Sequence, residues 1–169
     1  MDKTIPNQSG MDFIAENSFH IEKANVYKNI GEGVRSVEFI QIRNNKLYFV
    51  EAKTSFPNPN NPNEDNKVRF KNEIDDICEK FIHSLNLFAS IKMGVTEDCF
   101  HSELIKPEKV SLIFLLVIKN HKFEWCRPIK GKLEEELPHY LKQIWKPSIY
   151  VLNHQKAIEQ GFVVNTIIL

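Results

Sequence analysis

The clearest pattern along the chain is helical. Ile74, Ile77, Cys78, Phe81, Ile82, Leu85, Phe88 and Ile91 recur every three or four residues, while Glu73, Asp75, Asp76, Glu79, Lys80 and Asn86 fill the other side. This spacing predicts a long amphipathic helix over about 65–92. Upstream, residues 34–43 and 46–53 are rich in β-branched and aromatic side chains, and Asn44-Asn45 between them tolerates the left-handed backbone of a tight hairpin turn. Between hairpin and helix lies the stretch 56–63, in which Pro57, Pro59 and Pro62 alternate with asparagines. Prolines remove backbone donors and asparagines favour turns, so the segment reads as an exposed loop hanging over the end of the second strand, ordered by a substrate or partner.

Downstream, residues 110–119 are apolar without alternation, as in a central strand covered on both faces. Leu133, Leu137, Leu141 and Ile144 predict a second helix, with Pro138 either in its first turn or at a kink. Residues 149–153 suggest a short strand, and 154–160 a short helix ended by Gly161. Residues 19–30 fit a strand through Phe19, Ile21 and Tyr27 or a helix through Phe19, Lys23, Val26, Tyr27 and Ile30, and the pattern does not choose. The order of elements points to an α/β (α+β sandwich) fold with a mixed sheet, in one domain spanning 1–169.

Composition narrows the function. The 169 residues carry 22 basic and 22 acidic side chains, which argues against holding nucleic acid or an anionic membrane by bulk attraction. Residues 61–100 hold five basic and eight acidic side chains and 101–169 hold ten and seven, making the last third the better anion-facing side. Cys78, Cys99 and Cys126 are odd in number, widely spaced and outside any metal-binding pattern, so the expected home is the reducing cytoplasm. No secretory h-region opens the sequence, and the longest apolar run is too short to span a bilayer, so no membrane role is expected.

The hairpin carries the candidate chemistry. With Asn44-Asn45 at the centre of the turn, opposed residues sum to 89, so Glu38 faces Glu51 and Ser36 faces Lys53. Side chains alternate along a strand, which puts Lys53 on the face of Glu51, beside Ile40, Ile42, Leu47 and Phe49. Two carboxylates about 5 Å apart repel by roughly 3 kcal/mol at an effective dielectric near 20. A divalent cation, a shared proton, Lys53 itself or splaying into water could offset that. Two solvated glutamates with a cross-strand lysine bridge are an equally good structural account.

Glu38, followed thirteen residues later by Glu51-Ala52-Lys53, resembles the active-site signature of the PD-(D/E)xK (restriction-endonuclease-like) nuclease superfamily: an acid on one strand, then E-x-K on the next. The family core is a helix, a three-stranded antiparallel meander, a crossover helix and a further strand, and the elements here follow a similar order over about 12–119. Residues 120–169 then form a C-terminal extension. The resemblance implies an endonuclease that binds and cuts DNA, less readily RNA, with Mg²⁺ or Mn²⁺ as cofactor. Glu38, Glu51 and the Ala52 carbonyl would be metal ligands, and Lys53 would position the attacking water. Glutamate rather than aspartate stands at 38, and Val37 replaces the usual proline. Glu16, Glu22 and Glu32 are candidates for a further acid; the half-apolar context of Glu22 favours it. So small a nuclease needs specificity from a homodimer or a partner protein. The alternative is a non-catalytic nuclease-fold subunit of a nucleic-acid defence or repair assembly.

Other residues carry less. Gly31-Glu32-Gly33 lacks a phosphate-loop ending and reads as a β-turn. The six histidines show no metal spacing, and His83 falls on the polar flank of the long helix. Lys119, Lys122, Arg127, Lys130 and Lys132, interleaved with His121, Phe123 and Trp125, could contact phosphates and a base. The preferred reading of that stretch is a strand-edge region with its aromatics packed inward.

Overall fold

The computed structural model describes residues 4–14, 16–100, 104 and 109–165. Five strands form one mixed sheet, in the order β3 (Ser18–Phe19), β4 (Phe39–Arg43), β5 (Lys46–Lys53), β6 (Ser111–Ile118) and β7 (Ser148–Asn153). β3, β4 and β5 pair antiparallel in succession, and β6 and β7 lie parallel to β5. A separate hairpin, β1 (Thr4–Gln8) with β2 (Met11–Ile14), precedes them.

The hairpin register is the expected one: Phe39 pairs with Val50, Ile40 with Phe49 and Arg43 with Lys46. Asn44 and Asn45 both take positive φ, near 50° and 56°, which asparagine tolerates better than most residues. Only a long connection can carry the chain from β5 to the parallel β6, and α2 (Glu64–Lys92) supplies it. The Asn63 side chain caps its start by accepting from the Asn66 N–H.

Because β6 is central, both its faces are covered. Leu112, Phe114, Leu116 and Ile118 join the core under the helices, where Phe81 of α2 stacks on Phe114 at 4.5 Å. Ile113, Leu115 and Val117 join a second core with Ile5, Met11, Phe13 and Phe162. Residues beyond 120 are part of this architecture. They supply β7, α3 (Phe123–Glu136), α4 (His139–Trp145) and α5 (His154–Glu159), and Val164 N–H donates to the Asp12 carbonyl of β2.

Five expectations need correction. The first hairpin strand begins at Phe39, not 34, because the backbone just before it is taken by α2: Val37 N–H donates to Ser84 Oγ at 2.8 Å and Arg35 N–H to His83 Nδ1 at 3.1 Å. The strand-edge reading of 119–132 gives way to α3, with Pro128 inside it and Phe123 exposed rather than packed inward. The single helix through Leu133 and Ile144 is two, parted at Leu137, with Pro138 capping α4. Residues 19–30 are neither all strand nor all helix: β3 leads into a 3₁₀ turn at Ile21–Lys23 and α1 (Asn25–Ile30). The 56–63 loop is tied down by its own contacts, since Asn66 Nδ2 donates to the Asn58 carbonyl and Phe56 packs edge-on to Phe70 and His121.

Candidate functional site

The site lies where the β4–β5 ladder ends. Glu38 is one residue beyond the paired part of β4, and its N–H donates to the carbonyl of Val50, the residue that already pairs with Phe39. Here the chain stops following β5 and passes under α2. Glu51, inside β5, is 1% exposed and faces the helix side of the sheet with Phe49 and Leu47.

Each acid solves the repulsion differently. Lys80 of α2 reaches Glu51 Oε1 at 2.5 Å, leaving Oε2 buried and without a hydrogen-bond partner. Burial pushes the Glu51 carboxyl above its ordinary range, and the ammonium groups of Lys80 and Lys53 pull against that. Glu38 is pushed up to about 7, first by burial, then by the charges of Glu51 and Glu22. A carboxyl with a pKa of about 7 is about half protonated at neutrality, and a side-chain hydrogen bond with Glu22 adds to the shift. The pair is thus held by a lysine on Glu51 and, below about pH 7, by a proton on Glu38.

Lys53 lies on the expected face but bonds elsewhere. Its Nζ is 3.0 Å from Glu73 and 3.1 Å from Asp76, both on α2. Asp76 also takes Arg35, whose Nε stands 3.5 Å from Glu79. The Ala52 carbonyl accepts from Ser9 Oγ at 2.9 Å, so the turn between β1 and β2 closes over the end of β5. That oxygen keeps a second lone pair.

Of the three candidates for a further acid, Glu22 in the 3₁₀ turn meets Glu38, whereas Glu32 sits in an exposed turn between two positive-φ glycines. Glu16 follows β2, and its carbonyl accepts from Gln41 Nε2.

Sequence reasoning missed Glu73, Asp76, Lys80 and Ser84, and the miss has a pattern. Each immediately precedes a buried residue of the helix stripe: Ile74, Ile77, Phe81 and Leu85. They form one flank of α2, and that flank leans over residues 35–38 and the end of β5. Polar residues one step from an apolar stripe are at its margin, not on the opposite side, and that signal was present in the spacing.

The donor chemistry fits a hard divalent cation: carboxylates, a backbone carbonyl and one buried oxygen without a partner. Among the described residues, however, no three acidic, histidine or cysteine side chains are gathered as a metal cage. Also among them, no helix is long and apolar enough to cross a membrane. Comparison of the chain with protein-family models, curated proteins and solved structures finds no match.

Proposed function

We propose that the protein is a metal-dependent nuclease of the PD-(D/E)xK type that hydrolyses phosphodiester bonds in DNA. The observation that carries this reading is that the charges of Glu51 and Glu22 both act on Glu38 at the open end of the hairpin, with Lys53 two residues beyond Glu51 on the same strand. The order β3, β4, β5, α2, β6 supports it, being an antiparallel meander followed by a crossover helix and a parallel strand. One departure is that α1 lies within the meander rather than ahead of it.

Glu38 and Glu51 would hold Mg²⁺ or Mn²⁺, with the Ala52 carbonyl sharing its oxygen between the ion and Ser9, and Glu22 available as a further ligand. The ion would polarise the scissile phosphate and lower the pKa of a bound water. For this, Glu38 gives up its proton and Glu51 turns from Lys80. Lys53 would align the nucleophilic water, and Lys80, once released, would face the phosphate as a second cation.

A non-catalytic binding module is the second reading, favoured by the ion pair that occupies Glu51. The deciding experiment incubates the protein with single- and double-stranded DNA and RNA in Mg²⁺, Mn²⁺ or EDTA, beside Glu51→Ala and Lys53→Ala. Metal-dependent cutting that falls about a hundredfold or more in both variants supports the nuclease. Binding without cutting, unchanged in the variants, supports the module.

A further inference from the structure

A cleft of about 510 Å³ opens at the other end of β5, beside the Asn44-Asn45 turn. Arg43, Lys46 and Lys130 bring three cations to it, and Tyr48, Tyr150 and Phe162 bring three rings; among the described residues no carboxylate lines it. The arrangement is held in place. Arg43 donates through Nη1 to the Gly161 carbonyl at 3.0 Å and lies 4.9 Å over the Phe162 ring, while Tyr48 meets the same ring edge-on at 5.1 Å. Gly161, at φ +71°, permits this approach: a Cβ there would stand 3.2 Å from Arg43 Nη2. One bond to a carbonyl leaves most of the guanidinium fork unused.

The cations are available. Among the described residues Arg43 and Lys46 form no ion pair, and Lys130 faces only Glu134 of its own helix, at 3.6 Å and half exposed, a pair worth little in water. Burial holds the Tyr48 phenol above its ordinary range, so it stays a hydrogen-bond donor at neutral pH. The volume suits a small molecule rather than a duplex. Three cations without an acid suit a phosphate, which carries between one and two negative charges and several acceptor oxygens.

We propose that this cleft binds a mononucleotide, its phosphate on Arg43, Lys46 and Lys130 and its base against Tyr150, the most open of the three rings, with Tyr48 and Phe162 forming the buried floor. The site is separate from the carboxylate cluster. Lys46 and Lys53 are seven residues apart on one strand, roughly 23 Å at the rise of a β-strand, and Tyr48 belongs to the core on the opposite face of the sheet from Glu51. The same chemistry is offered by a free nucleotide and by the 5′-phosphorylated end of a nucleic-acid strand.

Calorimetric titration in EDTA with AMP, GMP, CMP and UMP tests this, with adenosine and inorganic phosphate as partial ligands and a short oligonucleotide with and without its 5′-phosphate. At least one mononucleotide should bind, about tenfold or more tighter than its separate parts. Lys46→Glu and Lys130→Glu, both solvent-facing changes checked by circular dichroism, should each weaken it by a similar factor. Tighter binding of the 5′-phosphorylated oligonucleotide, lost without the phosphate, would identify the strand end as the source. No binding of any mononucleotide at millimolar concentration, or equal affinity in the well-folded charge-reversed variants, would overturn the proposal.

Discussion

The two ends of β5 contrast in how the chain treats them. At the Asn44-Asn45 end the ladder runs to its last pair, Arg43 with Lys46, and an ordinary two-residue turn closes it. At the other end the ladder is interrupted after Phe39, and the backbone donors of Arg35 and Val37 are taken by His83 and Ser84 of the helix above. That interruption exposes Glu38 and Glu51 to each other and brings a helix flank down on them. Regular pairing satisfies backbone groups locally; where it stops, side chains from elsewhere must do so, and charged groups are drawn into the same small space.

If that contrast is right, the open end depends on α2 far more than the turn end does. The largest effect is expected from Lys80→Met, which leaves the buried Glu51 carboxylate without its cation and should cost about 3 kcal/mol in urea unfolding near neutral pH. The penalty should shrink on acidification, as Glu51 takes a proton, and Glu51→Gln added to Lys80→Met should recover most of it. A cost below half a kcal/mol would show that the ion pair has little to do with holding the helix flank down.

Next comes Ser84→Ala, expected to cost about 2 kcal/mol because a buried Val37 N–H loses its acceptor. A third prediction concerns pH, measured in EDTA. Glu38 binds its proton more tightly folded, with a pKa of about 7, than unfolded near 4.5. Its contribution is therefore full below about pH 4.5 and lost as pH rises to 7; partial exposure limits it to about 1–2 kcal/mol. Glu38→Gln should flatten that part of the stability profile, and an unchanged slope would remove the shared proton from the account. At the turn end, Asn45→Val should cost only about 1 kcal/mol, from the positive φ that a β-branched residue resists.

The sequence made the turn end fully legible and the open end half so. Asn44-Asn45 and the alternation of Leu47, Phe49 and Glu51 determine register and facing as far as Phe39 with Val50; the extrapolated pair Glu38 with Glu51 lies beyond the ladder, where Glu38 N–H bonds to the Val50 carbonyl instead. The existence of α2 followed from its stripe, because periodicity sustained from Ile74 to Ile91 admits no other element. What escaped was the rotation of α2 on the sheet. Amphipathicity says which stripe is buried but not which neighbouring flank meets the acids, so Lys53 stands among the four ways to offset the repulsion and Lys80, which pairs with Glu51, does not. The β1–β2 hairpin was missed for another reason. Its strands are short and its pairing shifts between Ile5 and Gln8, with Asn7 and Ser9 at positive φ, so no run of alternation is long enough to register.

The central claim is that the carboxylates at the open end accept a divalent cation in place of Lys80 and a proton. Electron paramagnetic resonance of Mn²⁺ titrated into the protein counts bound ions without needing a substrate. The account predicts saturable binding in the wild type that is lost in Glu51→Gln and weakened in Glu38→Gln. Free Mn²⁺ signal undiminished by the wild-type protein, or equal binding by all three folded proteins, would contradict it.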